Sequence, residues 1–416
     1  SLGALEPSPD HQWIAYAVDI DGSERHEIHF KNLSTGEIAA DTIKGTHTSL
    51  EWAEGQERIV FYTMLDEHDR PDRAFRHKLG EDAAKDTLLY KEADPQLFMY
   101  LSKTRSDRFI FLECHGKVTS EVRFIEAAKP LSEFKLIEAR RRGVIYHAAH
   151  HEEKFLITTN DEVQNFRLVE APVTDPKAAN WKEIRRGTTT LQIEGVDSFK
   201  NYWVIHEREN GLPQLRVVDL KQKSEHLIEF SEPTYELSGE SNAEFETDIY
   251  RLAYTSLVTP NTVYDYDLRS REKKVMKTQK IPSGYDPSKY QSEYVFATAE
   301  DGTKVPISIV YKKEGFKKDG SHPLYLYGYG SYGMSMPARF STVRLSLIDR
   351  GFVYAIAHIR GGSEMGRAWY EGAKFLTKKL TFTDFVSSAQ FLAKEGFTRE
   401  GNIAISGGSA GGMLVG

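Results

Sequence analysis

Short apolar runs recur at a steady interval along the first 280 or so residues. Ile14-Ala15-Tyr16, Ile59-Val60-Phe61, Phe109-Ile110-Phe111, Phe155-Leu156-Ile157, Trp203-Val204-Ile205 and Leu252-Ala253-Tyr254 begin 45, 50, 46, 48 and 49 residues apart. A polar turn follows each run, and then a second strand-like segment: residues 27–30, 74–77, 122–125, 166–169, 215–218 and 263–266. Turn signals such as Asp21-Gly22, Glu209-Asn210-Gly211 and Thr259-Pro260-Asn261-Thr262 separate the pairs. A repeat of this length, made of short strands without helical periods, predicts a β-propeller. One four-stranded blade cannot bury both its faces alone, so neighbouring blades must supply the missing partners. A set of unrelated antiparallel β-sandwiches is the alternative. Six visible repeats lead us to expect a seven-bladed propeller that this chain covers incompletely.

The pattern changes after the Pro/Gly-rich stretch at residues 281–287. Near-continuous apolar runs at 324–327, 352–357 and 403–405 then alternate with helical stretches, the clearest over 383–394. In that helix Phe385, Ala389 and Leu392 share a face, and Gly396 stands just past the end. Buried strands alternating with helices predict a parallel α/β sheet. The expected organisation is a propeller over residues 1–282 and the N-terminal part of an α/β-hydrolase domain over residues 283–416.

Composition narrows the function classes. Hydrophobic residues are 40% and charged residues 28% of the 416, with a net charge of −7, so the proportions are globular and no basic excess points to nucleic acid. The longest apolar runs fall far short of the ~18 residues of a membrane span. A single cysteine, Cys114, cannot form an intrachain disulfide, and the first residues carry neither a basic nor an apolar leader segment. A cytoplasmic location is expected.

The chemistry lies in the last strand and turn. Ile403-Ala404-Ile405-Ser406 runs into Gly407-Gly408-Ser409-Ala410-Gly411-Gly412 and then Met413-Leu414-Val415. This is G-x-S-x-G between a strand and a helix start, the setting of a nucleophile elbow. Gly407 and Gly411 flank Ser409 because strand and helix approach too closely there for side chains. The Ala410 N–H is placed to stabilise an oxyanion during acyl transfer. A competing motif, Gly328-Tyr329-Gly330-Ser331-Tyr332-Gly333, fits a dinucleotide fingerprint, with Asp349 as the ribose acid. However, Met334-Ser335-Met336-Pro337 is a poor helix opening, and two tyrosines would crowd a pyrophosphate. No cofactor is expected.

The strings Leu326-Tyr327-Gly328-Tyr329-Gly330-Ser331-Tyr332-Gly333, Ile359-Arg360-Gly361-Gly362-Ser363-Glu364-Met365-Gly366 and Gly407-Gly408-Ser409-Ala410-Gly411-Gly412, with residues 344–355 and Trp369-Tyr370-Glu371, resemble the prolyl oligopeptidase family of serine peptidases, and within it the oligopeptidase B branch. The resemblance implies a propeller joined to an α/β-hydrolase domain, Ser409 as nucleophile, and Tyr329 donating its hydroxyl to the oxyanion beside the Ala410 N–H. It also implies short peptide substrates cut after Arg or Lys. In hydrolases the triad runs Ser, Asp or Glu, then His. Only seven residues follow Ser409, so the triad partners are expected outside this chain, which would be a fragment with little activity of its own.

The remaining candidates have structural readings. His358 is expected to be a packed strand histidine and His322 a poor triad substitute. Asp384 reads as a helix cap or polar contact, and Glu364 and Glu371 as solvated loop or helix-end charges. His147, His150 and His151, with Glu152 and Glu153, read as a surface turn before a strand, and no metal site is expected. Two further functions stand beside the endopeptidase: a propeller-based binding scaffold with an inactive hydrolase domain, and a related exopeptidase.

Overall fold

The computed structural model describes all 416 residues. Six four-stranded antiparallel meanders follow one another in the chain. All six predicted apolar runs lie in second strands of these blades: Trp13–Val18, Ile59–Leu65, Phe109–His115, Lys154–Thr159, Tyr202–Glu209 and Ile249–Ser256. Their predicted partners lie in or overlap the third strands, and Glu209↔Leu212 closes one hairpin. There Asn210 and Gly211 both take positive φ, 49° and 89°, as a two-residue I′-type turn demands. The fold is thus a β-propeller joined to part of an α/β-hydrolase domain, and six blades are present.

Blades 1 and 2 form one seven-stranded sheet, because a single strand, Ile38–Trp52, serves both. Its first half pairs with His26–Asn32 and its second half with Ile59–Leu65, with a register shift between Thr46 and Leu50. Blades 3 to 6 are separate sheets that open with Phe98–Lys103, Tyr146–His151, Leu191–Ser198 and Tyr235–Gly239.

The chain divides into two compact units. One comprises residues 1–162, 167–185 and 198–200; the other comprises 163–166, 186–197 and 201–416. In the first, aromatic rings form much of the core: Phe155 packs against Phe109, Phe111 and Phe124 with centroids 4.9–5.6 Å apart. In the second, a mixed sheet is built from β1 (Tyr290–Thr298), β2 (Lys304–Lys312), β3 (Leu324–Tyr327), β4 (Val353–Ala357) and β5 (Ile403–Ser406), in the order β1-β2-β4-β3-β5. β3, β4 and β5 are parallel, as predicted, whereas β1 and β2 are antiparallel additions. Four helices accompany the sheet: α1 (Thr342–Ile348), α2 (Arg367–Glu371), α3 (Lys379–Lys394) and α4 (Ala410–Val415). Ile307, Ile309, Leu324, Leu326, Ala355 and α3's Phe385 and Leu392 share one buried cluster.

Two expectations need correction. α3 begins four residues earlier than its apolar period showed, so Asp384 lies inside the helix rather than at its cap. Its end is as read: Gly396 takes φ 77°, and the Gly396 and Phe397 amides bond to the Ala393 and Leu392 carbonyls in a Schellman arrangement. The histidine-rich segment is no surface turn. Residues 146–151 are the first strand of blade 4, and His150 and His151 are buried.

His150 carries a pH dependence. Its Nδ1 meets Ser106 Oγ at 2.7 Å, and the Phe109 ring packs steeply inclined against it with centroids 4.8 Å apart. Burial first of all pushes its pKa down to about 4 from the ordinary 6.5. The unfolded chain therefore binds this proton below about pH 6.5 and the folded chain only near pH 4. Stability is full above 6.5 and falls as the pH drops through that window. Urea midpoints measured from pH 7 to 4 are expected to fall less steeply in His150→Gln than in the parent; parallel curves would show that another group carries the loss.

Candidate active site

The serine turn is assembled by backbone packing. Parallel β3 and β5 are paired from Leu324↔Ile403 to Tyr327↔Ser406, so their next residues emerge side by side at the same sheet edge. The Gly328 amide bonds to the Ser406 carbonyl at 3.1 Å. Beyond this edge the chain turns at Ser409, with φ 52° and ψ −118°, and enters α4. A serine with that φ is strained, and the surrounding contacts must hold it there.

Those contacts leave no room for side chains. A Cβ at Gly407 would lie 2.2 Å from the Gly411 oxygen and 2.9 Å from the Gly328 oxygen. A Cβ at Gly411 would lie 2.7 Å from the Gly328 oxygen and 3.4 Å from Cα and Cδ2 of Tyr329. Tyr329 is therefore packed against the residue two places after Ser409, and it is buried. Ala410 is the first residue of α4, where the N–H groups have no carbonyl of the helix to bond. The structure thus brings Tyr329, Gly407, Ser409, Ala410 and Gly411 into one neighbourhood.

The loop that carries Tyr329 is braced from two sides. Gly330 has φ 65°, and its carbonyl accepts a hydrogen bond from Lys378 Nζ, while Thr381 Oγ1 donates to the Arg360 carbonyl at 2.8 Å. Lys378 also donates to Ser331 Oγ at 2.8 Å, and burial lowers the pKa of its ammonium. A Cβ at Gly361 would meet the Gly330 oxygen at 2.0 Å, so the Arg360-Gly361 segment lies directly on the tyrosine loop. Arg360 is in turn clamped to α3. Asp384, fully buried, accepts from the Arg360 backbone N–H at 3.0 Å, from Nε at 2.8 Å and from Nη2 at 2.6 Å. No helix follows Gly333: residues 334–341 are irregular until α1 begins. The glycine-tyrosine motif is therefore not a strand-to-helix phosphate loop.

Other predicted residues fall as follows. His358 is buried and bonded to Ser308 Oγ at 2.7 Å, and His322 Nδ1 lies 3.1 Å from the Gly351 carbonyl, so both have structural partners. Glu364 is not a solvated charge. It is buried, its Oε1 accepts from the Met336 N–H at 2.8 Å, and it lies 3.6 Å from His358 Nδ1. Glu371 is half-buried and pairs with Arg367 and Lys374. Lys378, Thr381 and Arg360, which brace the loop, were not singled out as site residues in the sequence. The only available signal was Arg360 beside two glycines. His147, read as having no matching ligands, stands beside Glu113 and His115.

A propeller followed by a 1-2-4-3-5 sheet, with a strained serine between strand 5 and its helix, defines a propeller-bearing α/β-hydrolase. Comparison with known proteins narrows this class. The profile described as prolyl oligopeptidase, N-terminal beta-propeller domain, matches residues 1–279, and that of the prolyl oligopeptidase family matches 338–416. The chain belongs to the prolyl oligopeptidase family, whose members are serine peptidases. It is 40% identical to dipeptidyl aminopeptidase BI of Pseudoxanthomonas mexicana and 38% identical to Protease 2 of Moraxella lacunata. Both matches cover 100% of this chain but only 57% and 60% of those relatives. The solved structure of oligopeptidase B from Leishmania major superposes with a TM-score of 0.92 at 32% identity, covering 100% of this chain and 60% of that one. No helix here is long and apolar enough to cross a membrane.

Arg360 also pairs with Asp301 at 2.5 Å, so removing the fully buried Asp384 leaves the guanidinium only that half-exposed partner, at a cost of about 3 kcal/mol. Asp384→Ala is expected to lose that much in urea unfolding; a loss below about 1 kcal/mol would remove the pair from the bracing of the loop.

Proposed function

We propose that this chain carries the nucleophile and oxyanion donors of a serine peptidase acting on short peptides. The Ser409 hydroxyl attacks the scissile carbonyl carbon, the amine leaves, and water later hydrolyses the acyl-enzyme. The Tyr329 hydroxyl and the Ala410 N–H donate to the oxyanion as it forms. The observation that carries this reading is the strained Ser409 in a glycine-walled turn, with Tyr329 packed on Gly411. Residues 1–282 form the propeller part and residues 283–416 the hydrolase part.

An unassisted serine hydroxyl is a weak nucleophile near pH 7 and needs a neighbouring base. His358 and His322 are engaged elsewhere, so the base and its acid partner come from outside these 416 residues. On this reading the chain alone has little turnover, and the activity belongs to the whole protein in the cytoplasm. Cleavage after Arg or Lys is the favoured specificity, supported by the likeness to oligopeptidase B. The relative named dipeptidyl aminopeptidase BI favours a second reading, removal of N-terminal dipeptides. An N-terminally blocked arginyl substrate separates the two, because only the endopeptidase cleaves it.

In the whole protein, a fluorophosphonate probe is expected to label Ser409 and to label nothing in Ser409→Ala. Absence of labelling in the parent would point instead to a binding scaffold with an inactive hydrolase domain. Tyr329→Phe is expected to lower kcat by roughly 10²–10³-fold with little change in KM; an unchanged kcat would take the tyrosine out of the oxyanion role.

A further inference from the structure

Far along the chain from the serine turn, a second set of chemistry-bearing side chains converges between blades 3 and 4. Glu113 and His115 alternate along Phe109–His115, the second strand of blade 3, and His147 stands on Tyr146–His151, the first strand of blade 4. One ligand atom from each lies within 4.8 Å of the other two. His115 Nε2 is 2.9 Å from Glu113 Oε2, and the His115 and His147 rings stack with centroids 4.7 Å apart.

The surroundings hold these groups in place. The other carboxylate oxygen of Glu113 accepts from Ser102 Oγ at 2.7 Å, the kind of outer hydrogen bond that orients a metal ligand. Ser120 is the cross-strand partner of His115. Its hydroxyl donates to the Tyr146 carbonyl at 2.8 Å, and the same oxygen accepts from the Tyr146 N–H at 2.6 Å. The Tyr146 hydroxyl accepts from the Val122 N–H at 2.8 Å. The residue immediately before His147 is thus tied to blade 3 at the position facing His115.

We propose that Glu113, His115 and His147 form a site for a divalent cation of the zinc class, with solvent as the fourth ligand. Two imidazoles and one carboxylate are a borderline donor set that suits zinc better than calcium or magnesium, which favour all-oxygen shells. Around a tetrahedral zinc with bonds of about 2.1 Å, ligand atoms stand about 3.4 Å apart. Binding therefore widens the His115–Glu113 contact by about half an ångström and draws His147 inward. His147 is the exposed member of the three, so its ring can move without disturbing the core. His115 binds through an unprotonated Nε2, so with the ion in place its imidazole carries its proton on Nδ1. The bound ion then ties blade 3 to blade 4.

The test uses the whole protein stripped with a chelator. Zinc is titrated against a chromophoric competitor, and cobalt is followed by its visible d–d absorption. One zinc per chain is expected, bound at least tenfold more weakly in His147→Ala and in Glu113→Gln. The absorption of four-coordinate cobalt disappears in both variants. Ser102→Ala, which removes only the outer hydrogen bond, is expected to weaken binding about tenfold. Thermal melts in chelator separate loss of the site from loss of the fold; should Glu113→Gln unfold, His147→Ala, altered only at an exposed side chain, decides. No binding by the parent chain, or equal binding by His147→Ala, overturns the proposal.

Discussion

Three backbone segments meet at the serine turn with no side chain between them, and the geometry of the site depends on that contact. The exit of β3 at Gly328, the end of β5 at Gly407 and the first turn of α4 at Gly411 approach so closely that a methyl group at 407 or 411 would overlap a carbonyl oxygen. Parallel pairing of β3 with β5 brings the segments to one edge, and the glycines let them close. Ser409 is held at its positive φ because the chain on both sides of it has nowhere else to go. The same contact seats Tyr329, so the hydroxyl-bearing turn and the phenol-bearing loop are positioned by one packing event rather than two.

A second layer keeps the tyrosine loop from relaxing away. Lys378, just before α3, holds the Gly330 carbonyl, and Thr381, in its first turn, holds the Arg360 carbonyl. Asp384, in the next turn, holds Arg360, whose following glycine rests on the Gly330 carbonyl. A buried pair of this kind is weak evidence for net stability, since desolvating two charges offsets much of their attraction. Its value here is directional: three hydrogen bonds from one residue to one carboxylate fix a loop that no regular structure supports.

Much of this was legible from the chain. The second strands stand out because their apolar runs are dense and evenly spaced, and in blades 2 to 4 they are buried almost continuously on both faces. The first and fourth strands carry fewer apolar residues, and Lys273–Thr278 is exposed throughout, so its sequence looks like any polar segment. The strand Tyr146–His151 escaped because two of its three histidines are covered by residues remote in sequence: Ser106 and Phe109 for His150, and Lys200 for His151. Glu364 was misread for the same reason, since the amide that binds it belongs to Met336. The elbow was legible because its constraint is local, five residues with their own strand and helix. The bracing was not, because a lysine that holds a carbonyl 48 residues earlier leaves no local trace.

The shared strand Ile38–Trp52 has a consequence of another kind. Blades elsewhere in this chain are joined by loops, and one can in principle open while its neighbour stays closed. Blades 1 and 2 are spliced through one strand, with its first half hydrogen-bonded into one blade and its second half into the next. Peeling either half loose pulls directly on the other. In hydrogen-exchange terms the pair should behave as a single cooperative foldon of seven strands.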